Sequence, residues 1–425
     1  MSKDKEFEKN SLILFVLMMG ANVFNYLFQI ILGKLLAVED YGILNTLMSM
    51  VTILSIPNLL FVMVVARYTA IYSAYNENKK INALLRFGIK IALVVAVVLL
   101  VFGALGADFL CGIFGISESN YFIMITIVVG ITLIASIAIG VLQGLKKFFN
   151  YGIQNLANVG CKLFFSVILV YLGMGLYGVL VALLIGIVVA CVYSYRHAIK
   201  SIGTIKEKVK IELPYKEIIR YSFGTFIAQL CITVLTNGDI LLVKMFFSET
   251  EAGIYSSAMV LGKIAMYIAG AVVAALFPMV AEAYAKGKET KGLFIKALFY
   301  GGGSAVACSC GLVFFGELII KILFGSRYEL ALAYLPYVCL FIVPLTFLTV
   351  IMNYVLAIGD TKFFSTTTMV GCIVLTLIIM YKHSSIESML IIIGIVLSIV
   401  AFANIWNAFS KCTERKNVDI DDGER

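Results

Sequence analysis

Apolar runs of about 20 residues follow one another along nearly the whole chain, and that is the length an α-helix needs to cross a hydrocarbon core about 30 Å thick. A soluble protein can hide one or two such runs in its interior, not a dozen in series. The strands of a membrane barrel would alternate apolar and polar residues over roughly 10 positions, and these runs do not alternate. The expected fold class is therefore an all-α polytopic membrane protein. Its first six spans are placed at 11–33, 42–66, 87–106, 120–143, 153–172 and 177–195. The second six are placed at 221–246, 252–281, 294–315, 334–356, 365–382 and 387–409. Composition agrees, with 61% hydrophobic and 14% charged residues, where soluble domains have about 25% charged. The first run is too long for the core of a cleavable signal and is read as a retained span.

Basic residues fix the expected orientation. With the N-terminus inside, 25 of the 33 Lys and Arg residues fall in inside segments and 5 in outside segments; the others, Lys90, Lys162 and Lys263, lie within spans. Cytoplasmic loops carry such an excess, so both termini are expected in the cytoplasm and the protein in the cytoplasmic membrane. One missed span would invert every later loop and destroy the asymmetry. The net charge of +8 then reflects topology, and no nucleic-acid partner is expected. The nine cysteines include no C-x-x-C pair, and neither His197 nor His383 has neighbours that complete a metal site. No metal and no cofactor are expected.

The chain repeats itself. Lys34, Glu39, Gly42 and Ile43 after the first span are matched by Lys244, Glu249, Gly253 and Ile254 after the seventh. Gly144, Lys147 and Phe148 after the fourth are matched by Gly359, Lys362 and Phe363 after the tenth. A shift of about 210 residues relates the halves. Chance likeness between apolar helices explains shared Leu and Val, but not matched Lys, Glu and Gly at helix ends. Six spans per half is an even number, so the halves form parallel repeats. The expected organisation is an N-terminal lobe over 1–200, a cytoplasmic linker over 201–220, a C-terminal lobe over 221–410 and a cytoplasmic tail over 411–425.

The same residues carry a family resemblance. Gly33-Lys34-Leu35-Leu36 followed by Glu39-Asp40-Tyr41-Gly42-Ile43 resembles the first loop of the MOP flippase superfamily, especially its Wzx-like polysaccharide-biosynthesis branch. Phe277-Pro278 leading to Glu282 and Tyr284 resembles that family's eighth helix end. Leu323-Phe324-Gly325 with Tyr328, and Val355-Leu356 leading to Gly359-Asp360-Thr361-Lys362, resemble its ninth to eleventh helices. The resemblance implies two six-helix lobes around a central cavity, as in MATE transporters, and transport of a polyprenyl-pyrophosphate-linked oligosaccharide.

Polar residues inside the spans are the candidate site, because ionisable groups in hydrocarbon are costly and usually functional. The fifth span carries Asn155, Asn158, Lys162 and Ser166 at steps that keep them near one face. Lys162 falls near mid-bilayer at about 1.5 Å per residue. It either faces a cavity, where it would attract a pyrophosphate, or is bonded to carbonyls or a carboxylate within the protein. The first span carries Asn22, Asn25 and Gln29. The seventh, its repeat mate, carries Ser222, Thr225, Gln229, Thr233 and Thr236. These amides and hydroxyls suit a sugar, and they suit interhelical hydrogen bonds equally well. Asp239 and Lys263 stand at similar expected depths on consecutive antiparallel spans, which suggests an ion pair, structural or coupled to ion movement. Arg67 and Glu282 occupy matching inner ends of spans two and eight, where Arg67 would meet the incoming phosphate. Pro57-Asn58 marks a bend in span two.

No Walker A motif occurs; Gly301-Gly302-Gly303 lacks the Lys-Ser/Thr that phosphate binding needs. The outside loops, near 107–119 and 316–333, are too short for a catalytic domain, so no catalytic residue is expected. The reading is a flippase for a lipid-linked oligosaccharide, working by alternating access. It would use membrane lipids as its medium and glycan polymerase or assembly proteins as candidate partners. A lipid II-type flippase differs only in headgroup. A MATE-like multidrug or cation antiporter would need several cavity carboxylates, and only Asp239 lies deep in a span. A non-transporting scaffold in a glycan assembly complex is the fourth alternative. The coupling ion, H⁺ or Na⁺, is left open.

Overall fold

The computed structural model describes the backbone of residues 3–203, 215–286 and 288–421, and within these the side chains of 13–203, 226–270, 279–284, 286 and 288–410. The described residues are helical nearly throughout, with no strand. In the first half, α1 is Lys3–Leu35, α2 Val38–Leu54, α3 Ile56–Ala74, α4 Asn78–Phe114, α5 Ser119–Gly144, α6 Phe148–Leu169 and α7 Gly175–Ile202. In the second, α8 is Tyr215–Phe246, α9 Glu249–Ala285, α10 Lys291–Ala297, α11 Gly303–Leu323, α12 Ala331–Ile358, α13 Lys362–Tyr381 and α14 Ile386–Asp421.

Two pairs of these helices are single spans interrupted. Span two breaks at Ser55 into α2 and α3, with Pro57 in the first turn of α3, where its missing N–H is not needed. Span nine passes from α10 to α11 through one wide turn, Leu298–Gly302. Conversely, α6 and α7 are separate spans packed against each other. Gly173 (φ 85°) and Gly175 (φ 50°) form the reversal between them, a left-handed backbone that other residues rarely adopt. Several helices outrun the hydrocarbon. α4 starts at Asn78, well before the expected 87, because a polar helical extension leaves no hydropathy signal.

Contacts divide the chain into two compact units, Met1–Ile219 and Arg220–Arg425. In the first, α5 is the hub, packed against α3, α4 and α7, while α6 joins α1 and α7. In the second, α12 is the hub, packed against α9, α11 and α14, and α13 lies on α14. Span for span these are the same neighbours: the fourth span of each unit touches the second, third and sixth. The internal repeat read from helix ends is therefore repeated in the packing.

Small residues make these crossings close. A Cβ on Gly144 of α5 would lie 2.5 Å from the Ala66 carbonyl oxygen on α3, and one on Gly262 of α9 would lie 2.5 Å from Val338 on α12. Between apolar helices in lipid, close van der Waals contact at small residues drives association. Large apolar side chains stand outward instead, Phe102, Leu105, Phe109, Phe314 and Trp406 among them, each at least 71% exposed. Surface of that kind belongs against hydrocarbon.

Candidate functional site

Lys162 stands on α6, and α6 packs against α1. Its ammonium donates to Asn25 Oδ1 at 2.7 Å and lies 4.2 Å from the centre of the Phe28 ring. Asn25 and Phe28 are three apart on α1, so they share a face. The residue is 8% exposed, and no carboxylate among the described residues forms an ion pair with it. The charge is held by an amide dipole and the negative face of an aromatic ring, neither of which neutralises it.

The other polar residues of these helices divide their tasks. Asn155 donates to Met18 Sδ at 3.2 Å, again across the α1–α6 seam. Asn158 turns to α7, where a Cβ on Gly186 would lie 3.0 Å from its side-chain oxygen. The expected single face of α6 is thus split between two neighbours. The Ser166 hydroxyl is buried without a hydrogen-bond partner among the described residues. On α1, Gln29 accepts from the Tyr41 hydroxyl at 3.3 Å, and Asn22 is exposed. Arg67 is exposed on α3. α3 continues two turns beyond it, to Ala74.

In the second unit the expected ion pair gives way to two separate hydrogen bonds. Asp239 is 3% exposed, and its Oδ2 accepts from the Tyr255 hydroxyl at 2.6 Å. Lys263 donates to Asn237 Oδ1 at 3.2 Å, and no Asp239–Lys263 ion pair forms. The cause is depth. α9 starts at Glu249, before the expected 252. At about 1.5 Å per residue Lys263 therefore lies ~21 Å from the reversal, Asp239 ~10 Å and Tyr255 ~9 Å. Tyr255 is level with the carboxylate, whereas Lys263 lies deeper than Asp239 and reaches back to Asn237. The stripe on α8 is also partly self-satisfied. Gln229 donates to Thr233 at 3.4 Å, Thr236 to the Ile232 carbonyl at 2.6 Å and Asn237 to the Thr233 carbonyl at 3.0 Å. The Ser222 and Thr225 side chains lie outside the described residues, as do those of Phe277 and Pro278.

Two ends of helices are pinned by charge. Lys244 and Glu249 of the repeated motif form an ion pair of 2.8 Å, with the lysine side chain 1% exposed. Ser248 and Glu251 form a capping box at the start of α9. At the other end, Lys286 pairs with Glu282, and that hydrogen bond holds the Glu282 carboxyl below its usual range. Phe28, Tyr255 and Asn237 were missed by sequence reasoning. Phe28 was one turn beyond Asn25 on the same face, and Tyr255 was findable by counting residues outward from the 246–249 turn.

Two units of long apolar helices able to cross a membrane, each built on the same packing scheme, define a multi-pass helical membrane protein. The comparisons with known proteins agree. A transporter titled as an inward-facing multidrug resistance MATE family member of the MOP superfamily matches with TM-score 0.78 and 13% identity, over 96% of this chain and 99% of that one. An outward-facing MATE transporter matches with TM-score 0.64 and 14% identity, over 97% and 96%. A MOP superfamily transporter from Pyrococcus furiosus, described as having a binding pocket of reverse polarity, matches with TM-score 0.65 and 15% identity, over 96% of both chains. At such identities the likeness is one of fold. No curated protein matches the sequence. The polysaccharide biosynthesis protein family matches residues 7–284, and the chain belongs to that family.

Proposed function

We propose that this transporter moves a polyprenyl-pyrophosphate-linked oligosaccharide across the cytoplasmic membrane by alternating access, with both termini in the cytoplasm. The observation that carries the reading is the Lys162 ammonium, buried at 8% exposure and held only by neutral partners. No carboxylate among the described residues compensates the charge, and an uncompensated charge in a low-dielectric site is costly. An ammonium that must receive a phosphate is better left unneutralised. The pyrophosphate displaces the Asn25 amide, and the exposed Asn22 with Gln29 supplies partners for sugar hydroxyls. The family description supports a glycan substrate. Headgroup chemistry alone does not separate this substrate from a lipid II-type precursor.

Two of the solved structures that the chain resembles in fold are described as multidrug resistance MATE transporters, which favours multidrug export as a second reading. Against it, Asp239 is the sole buried carboxylate among the described residues, and it is bonded to Tyr255.

The test is Lys162→Gln in a cell whose surface polysaccharide depends on this protein. Surface glycan should fall at least about tenfold, since a hydrogen bond to a charged group contributes about 1.5–3 kcal/mol, at unchanged membrane abundance. Unaltered glycan at normal abundance would remove Lys162 from the mechanism.

A further inference from the structure

The glycine run at 301–303 has no part in the transport site, yet it shapes the surface of the second unit. Between α10 and α11 the helix opens into a wide turn over Leu298–Gly302. Gly302 lies so close to α12 that an added Cβ would be 2.2 Å from the Phe347 ring, whereas one on Gly303 would meet nothing within 4 Å. The space beside Gly303 is a groove of about 360 Å³, walled by Ile295, Phe299, Val306, Phe347 and Phe409. Phe299 is 72% exposed on its rim.

The walls are apolar, and the helices that form them are long and apolar enough to cross a membrane. Charge lies beside it on α10. Lys291 and Lys296 lie on α10, one turn before Ile295 and Phe299 respectively, and residues so spaced share a helix face. Neither lysine has an ion pair or side-chain hydrogen bond among the described residues. An apolar groove beside two lysines without ion pairs among the described residues complements one kind of occupant.

We propose that this groove is a binding site for an anionic phospholipid, with one acyl chain along Phe299, Val306, Phe347 and Phe409 and the phosphate at Lys291 and Lys296. The proposal is independent of the transported substrate. It places the lipid at the lysine-rich end of the unit, which the positive-inside asymmetry assigns to the cytoplasmic leaflet.

The experiment is native mass spectrometry of the full-length protein titrated with phosphatidylglycerol, phosphatidylcholine of identical chains, and undecaprenyl phosphate. The wild type should retain phosphatidylglycerol over phosphatidylcholine by roughly tenfold to thirtyfold, as two lysines beside an anionic headgroup give. The double variant Lys291→Gln/Lys296→Gln should lose that preference while still retaining lipid. Gly303→Leu, whose side chain enters open space in the groove, should lose both lipids. The double variant alters only residues outside the packed core, so it tests the headgroup contact even if Gly303→Leu fails to fold. Equal retention of the two phospholipids by the wild type, or an unchanged preference in the lysine variant, would overturn the proposal. So would undecaprenyl phosphate displacing phosphatidylglycerol at equal concentration, since the groove would then hold a prenyl chain.

Discussion

Lys162 Nζ lies 2.7 Å from Asn25 Oδ1, so the buried lysine of the first unit is satisfied by an amide contributed from another helix. This contact separates the two possible roles of the cation. Asn25→Asp keeps the shape and supplies a carboxylate. If Lys162 only joins α1 to α6, the variant should be at least as stable and as active as the wild type. If the ammonium must receive a phosphate, the new carboxylate competes for it. We expect normal abundance and melting temperature with transport reduced at least about tenfold, since charged hydrogen bonds contribute about 1.5–3 kcal/mol. A glycan export assay beside a thermal melt reads both quantities.

Tyr255 and Asp239 form a buried contact of the second unit, between α8 and α9, at 2.6 Å. Tyr255→Phe removes the donor and leaves Asp239 without its hydrogen-bond partner, while Oδ1 already has none among the described residues. Destabilisation of about 2 kcal/mol is expected. Combining it with Asp239→Asn, which removes the charge needing that partner, should recover part of the loss. Exchanging the charges, Asp239→Lys with Lys263→Asp, should recover little, because each side chain's hydrogen bond goes to a different partner. Recovery by the exchange, measured as thermal stability in detergent, would restore the direct ion pair.

The contrast between these two contacts shows what a sequence makes legible. The spans were readable because hydrocarbon imposes one length and one polarity on every crossing. The repeat was readable because its Lys, Glu and Gly stand at helix ends, where apolar composition does not mask them. Lys162 was conspicuous for the same reason, as a charge in an apolar run. Its partners were not, because Asn25 and Phe28 meet it from 137 residues away in the case of Asn25, and rotation of α1 about its axis is set by packing. The pairing of Asp239 was missed for want of three residues. Placing the start of α9 at 252 in place of Glu249 moves every side chain on it by most of a turn.

Lys244 and Glu249 offer a test of the repeated motif itself. The lysine side chain is 1% exposed and the glutamate 42%, so the two members should not be equivalent. Glu249→Gln leaves a buried ammonium without its counter-charge, whereas Lys244→Met removes the charge that needs one. Breaking a fully buried pair costs about 3–5 kcal/mol, and the exposure of Glu249 reduces this to about 1–2 kcal/mol. Glu249→Gln should therefore lower the melting temperature more than Lys244→Met. Equal effects would mean that the lysine is solvated in the membrane-embedded protein.

The hub helix α5 supplies the last prediction, which concerns packing rather than charge. A Cβ on Gly144 would stand 2.5 Å from the Ala66 carbonyl oxygen and 2.6 Å from Thr69 Cβ. Backbone is the least yielding neighbour, and Thr69 is itself fully buried, so Gly144→Ala must push α3 away from α5. Overpacking of this kind costs about 1–3 kcal/mol. At Gly106 on α4 the same added Cβ meets nothing within 4 Å, and Gly106→Ala should be neutral or stabilising by about 0.4–1 kcal/mol through the unfolded chain. The two substitutions are chemically identical and both lie in long apolar helices. Fluorescence-detected size exclusion after heating should separate them, with Gly144→Ala aggregating at lower temperature and Gly106→Ala at or above the wild type. Similar curves for both would mean that α3 and α5 are not held at the distance these glycines permit.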